Sequence, residues 1–519
     1  MKMKLQWTAM WVAGVMGLLV ACGGESDGGV PEPGGERGAL VQNPPPRTLL
    51  ASAADFHRQL TQSTPGRELL TLAGVPRCGV QVHSFEYGTV GARGEATNAT
   101  GALMLPRGGS AACSGPRPVV LFGHGTDTQR AYNQAQITDL TRPGALSGLT
   151  LAATYAAHGY IVVAPNYAGY DRSRLGYHPY LVAQQQSKDM IDALTAARKA
   201  LPALAARDSG QLLLAGNSQG GYVALATHRA LQAAGESVTA SAPMSGPYAL
   251  ASFGDAIFYG RTPLGSTAFT PLLVTAYQQA YGNLYSQASE VYAPRYAPYM
   301  ETLLPAEVAL DRLWAEGRLP LTAMFSPTAP ARGMESITPP TTPAAQAPLF
   351  ALGFGPDHLV TNALRLDYLQ DAMAHPDGVV PAPTTGLPAA APGHPLRQAF
   401  KANDLRDWVP ERPVLLCGGS ADPTVFFGLN TGAMQALWSA PSPAAMAPGL
   451  LTVLDVDAPV TGAADPFASI KTGFALSKAT AAAQGGVPAM QMLYHGVLVP
   501  PFCHLAARGF FERVMAEGP

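Results

Sequence analysis

The chain has little that would draw it to nucleic acid. Its 519 residues carry a net charge of −2, with no basic run and no interleaving of aromatic with basic residues. Cysteine is scarce: there are five, with no CxxC and no Cys/His spacing suited to zinc, so no structural metal is expected. Nothing implies an organic cofactor either. The chain shows no internal repeat, which removes solenoids and propellers from consideration. Long apolar runs are also missing, because the segment Trp11 to Val20 is too short to span a bilayer as a mature helix.

That segment follows Lys2 and Lys4 and closes on Leu19-Val20-Ala21-Cys22-Gly23, which resembles the lipobox of bacterial lipoproteins. The resemblance implies a signal peptide over 1–21, acylation of Cys22 and anchoring to the cell envelope. An ordinary secretory signal with an incidental cysteine is the blander alternative, and it too exports the protein. Gly23 in place of aspartate leans, by resemblance to sorting rules, toward the outer membrane. Residues 22–50, rich in Gly and Pro, read as a solvated tether. The four remaining cysteines fit two bridges in an oxidising compartment. Of three pairings, Cys78 with Cys113 and Cys417 with Cys503 are favoured: the first brackets an expected β-meander, and the second is expected near the active face.

The body, 47% hydrophobic over the whole chain, has enough apolar content for one large core and an inserted subdomain. A helix is expected over 54–72 and antiparallel strands over 80–87 and 96–105. Continuous apolar strands at 118–122, 159–165, 211–215 and 238–245 then alternate with helical stretches. This is the rhythm of βαβ units and predicts an α/β fold with a mostly parallel sheet. Between 251 and 410 the rhythm breaks into proline-rich and tyrosine-rich stretches, with helices expected over 272–285, 289–304 and 305–314. This interval reads as a mainly helical cap inserted between the first part of the core (51–250) and the second (411–519).

Gly216-Asn217-Ser218-Gln219-Gly220-Gly221 lies between the strand at 211–215 and the helix-like stretch from Tyr222. As a bare pattern in a chain with 55 glycines it is weak. In the order strand, turn, helix it describes a nucleophile elbow, with the Ser218 hydroxyl lifted above the sheet. A serine nucleophile needs a base held by a third group, and on this fold the acid and then the histidine follow it. Asp422, just past the strand ending at Cys417, is the best-placed carboxylate, although a turn aspartate before proline would look the same. Two histidines remain after it, His495 and His504. His495 is preferred, at the expected end of an apolar strand, over His504 at a helix start. Oxyanion donors are expected from the Gln219 N–H and from Gly125 or Thr126, with His124 shaping that loop.

With these residues in hand, the chain resembles the secretory-lipase (lipase A-like) branch of the α/β-hydrolases. The likeness rests on Phe122-Gly123-His124-Gly125-Thr126, on the run Gly159 to Gly169, on His178-Pro179-Tyr180-Leu181, on the elbow and on Asn403-Asp404-Leu405. It implies a Ser–Asp–His esterase or lipase with a helical lid before the acid strand. Asn217 and Asn166 stand where the family commonly has His and Asp. The long interval after Asp422 also departs from the family, and it leaves the choice of histidine open. The expectation is an exported hydrolase of hydrophobic carboxylic esters. A peptidase or acyltransferase on the same fold, and a non-catalytic ligand-binding lipoprotein, are the rivals.

Overall fold

The computed structural model describes residues 35–441 and 445–518. The signal peptide read over 1–21 and the acylated Cys22 lie outside these residues.

Among the described residues, nine strands form one sheet. In chain order they are β1 (Arg47–Ala51), β2 (Gly79–Val90), β3 (Ala96–Arg107), β4 (Pro116–Gly123), β5 (Ile161–Pro165), β6 (Arg207–Asn217), β7 (Ala240–Met244), β8 (Val414–Gly418) and β9 (Leu451–Asp455). Their spatial order is β1-β2-β3-β5-β4-β6-β7-β8-β9. The first three pairings are antiparallel, and every pairing from β5 to β9 is parallel. The α/β fold with a mostly parallel sheet read from the rhythm of the chain is thus the observed one.

Consecutive residues of the parallel strands enter opposite cores. Leu212 and Leu214 face one side, with Val119, Leu121 and Val163. Leu213 and Ala215 face the other, with Val120, Phe122 and Val162. Both faces are covered by helices, which is why these strands are apolar throughout rather than alternating. Strand order reverses across β4, with β5 on one side and β6 on the other. The crevice beyond the C-terminal ends of the strands therefore opens at β4 and β6.

Four local expectations change. The helix expected over 54–72 is two, Ala53–Thr61 and Thr64–Ala73, because Ser63 caps a new start with Pro65 in its first turn. The tether expected over 22–50 does not extend through its last third. There Arg47–Ala51 pairs with β2, and further back Arg37 donates to both Asp192 carboxylate oxygens at 3.0 and 3.1 Å. The cap has helices at Leu250–Phe258, Ser266–Tyr281, Leu310–Ala315, Ala347–Ala351, Asn362–Ala374 and Pro395–Ala402, separated by long irregular stretches. The helix expected over 289–304 is replaced by two short 3-10 turns, since Pro294 and Pro298 remove donors it would need. In the tyrosine-rich stretches, Tyr277, Tyr285, Tyr292 and Tyr296 are buried in the core that the cap shares with the sheet.

The bridges Cys78–Cys113 and Cys417–Cys503 are both present. The second ties β8 to the C-terminal helix Val499–Glu517.

Candidate active site

β6 ends in a turn that only small neighbours allow. Ser218 has φ 56° and ψ −124°, a backbone conformation rare for a residue with a side chain. Holding it costs on the order of 1–3 kcal/mol, which the packing around it must offset. A Cβ on Gly220 would sit 1.9 Å from the Gly123 carbonyl oxygen, and one on Gly216 would sit 2.2 Å from that of Gly220. The chain passes so close to itself that only hydrogen fits at these two positions. The Ser218 N–H donates to the Met244 carbonyl at 2.8 Å, fixing the turn to the end of β7.

Asp422 follows β8 and is buried, 4% exposed. Its Oδ1 accepts the N–H groups of Thr424 and Val425 at 2.8 and 3.0 Å, leaving Oδ2 free to face the histidine. His495 Nδ1 lies 2.6 Å from that Oδ2, and His495 Nε2 lies 2.7 Å from Ser218 Oγ. Because a carboxylate can only accept, Nδ1 carries the proton and Nε2 presents its lone pair to the hydroxyl. His495 does not end a strand as expected. It occupies a π-helical turn, Tyr494–Leu498, between the helix Ala468–Leu493 and the C-terminal helix. Single π turns inside helices recur at functional sites, because the extra residue re-aims a side chain.

His504 is elsewhere. It is buried in the C-terminal helix, with its Nδ1 3.1 Å from the Tyr155 hydroxyl and its ring stacked on Phe122 at 5.3 Å. Burial depresses its pKa to about 4.

The loop after β4 lies against the elbow, where a Cβ on Gly125 would be 3.5 Å from that of Ser218. Among the described residues, the Gly125 and Thr126 N–H groups donate to no protein acceptor. The His124 ring is sandwiched between Tyr132 and Tyr167, each at 4.2 Å, and its Nδ1–H donates to the Gly125 carbonyl at 2.6 Å. Trans peptide geometry then turns the Thr126 N–H the opposite way. Burial holds His124 neutral, with its pKa lowered to about 4.

His178 was not singled out by residue-level reasoning, although the His-Pro-Tyr-Leu string contains it. Its Nδ1–H donates to the Ala168 carbonyl at 2.9 Å, so its Nε2 accepts from Gln219 Nε2–H at 2.6 Å. Gln219 is thereby pinned next to Ser218. Tyr494 was also missed. Its hydroxyl donates to Asp457 Oδ2 at 2.7 Å and accepts the Ala421 N–H at 3.3 Å, linking the residue before His495 to the one before Asp422.

A narrow cavity of about 90 Å³ opens beside Ser218, lined by apolar cap residues that include Phe253, Ile257, Phe269, Leu273 and Phe400. A single core runs from the sheet into the cap around it.

Solved structures that superpose on the chain include esterases. The rice cell wall degrading esterase LipA from Xanthomonas oryzae superposes with a TM-score of 0.61 at 25% identity, over 89% of this chain and 98% of that one. The chain has an α/β-hydrolase fold like that of LipA. A ligand-bound form of LipA gives a TM-score of 0.62 at 25% identity, covering 89% of this chain and 99% of that one. A Legionella pneumophila protein assigned to the hydrolases shares the fold, with a TM-score of 0.59 at 17% identity over 92% of this chain and 99% of its own. No protein-family model and no curated protein sequence matches the chain. The likeness to LipA supports a hydrolase of the esterase type.

Proposed function

We propose that this lipase A-like hydrolase is an exported, lipid-anchored serine carboxylic-ester hydrolase. The observation that carries the reading is the hydrogen-bond chain Asp422–His495–Ser218, which ends at a hydroxyl on a strained turn. Ser218 Oγ attacks the ester carbonyl carbon while His495 Nε2 takes its proton. The resulting imidazolium is stabilised by the Asp422 carboxylate. The tetrahedral oxyanion is held by the Gln219 N–H and by Gly125 or Thr126, and the turned peptide after Gly125 favours Thr126. Collapse expels the alcohol, which takes the proton from His495. Water, deprotonated by His495, then cleaves the acyl-enzyme and regenerates Ser218. The apolar lining of the cavity suits esters with hydrophobic acyl or alcohol groups. Two disulfides accord with an oxidising compartment outside the cytoplasm, and the lipobox-like Leu19 to Gly23 supplies the anchor.

The test is turnover of p-nitrophenyl butyrate beside the corresponding anilide, with labelling by a fluorophosphonate probe. Ester cleavage and labelling that both vanish in Ser218→Ala are expected. Faster cleavage of the anilide points to a peptidase, and labelling that survives the substitution removes Ser218 as nucleophile.

A further inference from the structure

The cap is hydrogen-bonded to the loops that carry the chemistry. The oxyanion loop continues into Thr128 and Arg130, and there the cap residue Ala306 is bound from both sides. Its N–H donates to the Thr128 carbonyl at 2.7 Å, and its carbonyl accepts the Arg130 N–H at 2.8 Å. The acid loop is held in the same way, since the cap residue Leu264 donates to the Pro423 carbonyl, next to Asp422, at 3.0 Å. Behind the elbow, the Tyr222 hydroxyl donates to the carbonyl of Asn403, at the end of the cap, at 2.7 Å. Asn403 Oδ1 accepts the Ala183 N–H at 2.9 Å.

The two ends of the insertion are also locked to each other by buried ions. The Ala251 N–H donates to Asp404 Oδ2, and Arg406 pairs with both Asp404 and Asp377, its side chain and that of Asp377 being 0% exposed. Arg397 bridges Asp255, in the first cap helix, to Asp371. These pairs all lie within 251–410, so they tie the cap to itself and it could leave only as one body. Swinging that body away would strip partners from the oxyanion and acid loops at the moment they are needed.

We infer that the cap is a fixed wall of the active site rather than a lid, and that the substrates are single dissolved ester molecules that enter the cavity, not esters presented at a lipid–water interface. This rests on the ester-hydrolase reading above. A lid that opens must first give up the bonds that hold it shut. Here those bonds are the ones that fix the oxyanion and acid loops.

The deciding measurement is the initial rate of the purified protein on tributyrin, from well below its solubility limit to well above it. A hyperbola with no step at the limit is expected, and a rise of about tenfold or more on crossing it overturns the inference. Absence of hydrolysis on both sides of the limit removes the ester-hydrolase reading, and the inference with it. Hydrogen exchange adds a second readout. The Leu264, Ala306 and Arg130 amides are expected to exchange as slowly as those of the central strands. Exchange on the timescale of exposed loops shows an opening cap and refutes the inference.

Discussion

Replacing His495 by alanine, and separately His504 by asparagine, divides the two late histidines by role. In His495→Ala the Ser218 hydroxyl loses the lone pair 2.7 Å away, and the buried Asp422 Oδ2 loses its only side-chain donor among the described residues. Removing the base of a serine triad lowers kcat by on the order of 10⁴ to 10⁶, or about 5 to 8 kcal/mol of transition-state stabilisation. KM should move little, since the cavity walls are untouched. His504→Asn keeps an acceptor near the Tyr155 hydroxyl but gives up the stacking on Phe122. That is expected to cost about 1–3 kcal/mol of stability, read as a lower melting temperature. Its kcat at 20 °C should remain within about threefold of the parent, because nothing it touches reaches Ser218. The assay is p-nitrophenyl butyrate kinetics on samples matched by circular dichroism. If the His504 variant falls by orders of magnitude while folded, or the His495 variant keeps most of its kcat, the assignment of the base is wrong.

Asp422→Asn should lower kcat by about 10⁴ at neutral pH with KM nearly unchanged, since an amide permits the wrong imidazole tautomer; steady-state kinetics decide it. Gly220→Ala should cost at least about 3 kcal/mol and abolish activity, because the added carbon meets the Gly123 backbone rather than a movable side chain; a urea midpoint equal to that of the parent would contradict this. Stability should also fall with acid in a defined window. Burial depresses the pKa of His124, His228 and His504 to about 4 and of His178 to about 3. Each is neutral when folded, so its contribution is whole above the unfolded value of 6.5 and is lost as pH falls toward 4. By pH 5 the loss reaches at most about 2 kcal/mol per histidine. Asp127 and Asp189, raised to about 6 by burial, work in the opposite sense: their contribution is whole below 3.8 and is lost as pH rises through 6. Because the four histidines outweigh the two aspartates, urea midpoints should drop from pH 7 to pH 5. A flat profile would count against buried neutral imidazoles.

What the chain reveals on its own follows from the range of the forces involved. Strands buried on both faces are continuous apolar runs, so β4, β5, β6 and β8 were visible, and with them the positions of Ser218 and Asp422 at strand ends. The setting of His495 was not. Gly486 and Pro488 interrupt the preceding segment like the edge of a helix, yet Phe474 before the break packs on Tyr494 after it, at 5.6 Å between ring centres. The apolar stretch ahead of the histidine thus looks the same as a short strand until its partners are known. The ion pairs of the cap were invisible for a different reason. Arg397 and Asp255 are 142 positions apart, and no local pattern marks one for the other. Nor does composition distinguish a tether from a strand over Arg47–Ala51, since pairing with β2 is decided by the neighbour.

The acid and the base come from segments far apart in sequence, so something must hold them in register to within tenths of an ångström. The bridge Cys417–Cys503 does part of this, joining the strand that leads to Asp422 to the helix that begins just after His495. The Tyr494 hydroxyl does another part, spanning from the histidine's neighbour to the Ala421 N–H. The Asp455 carboxylate adds a third tie by accepting the Ser420 N–H at 2.9 Å. All three converge on the short loop between β8 and Asp422, and none passes through the cap. The cap's own bond is to Pro423, on the far side of Asp422 along the chain. A loop held on both sides of its acid has no free arc through which to swing. The C-terminal helix that begins just after His495 is likewise packed on the sheet side through Phe502, Phe510 and Phe511. A base presented just before a packed helix, and an acid on a loop held on both sides, make the 2.6 Å contact between them a property of the resting fold. The active site can therefore meet its substrate already assembled.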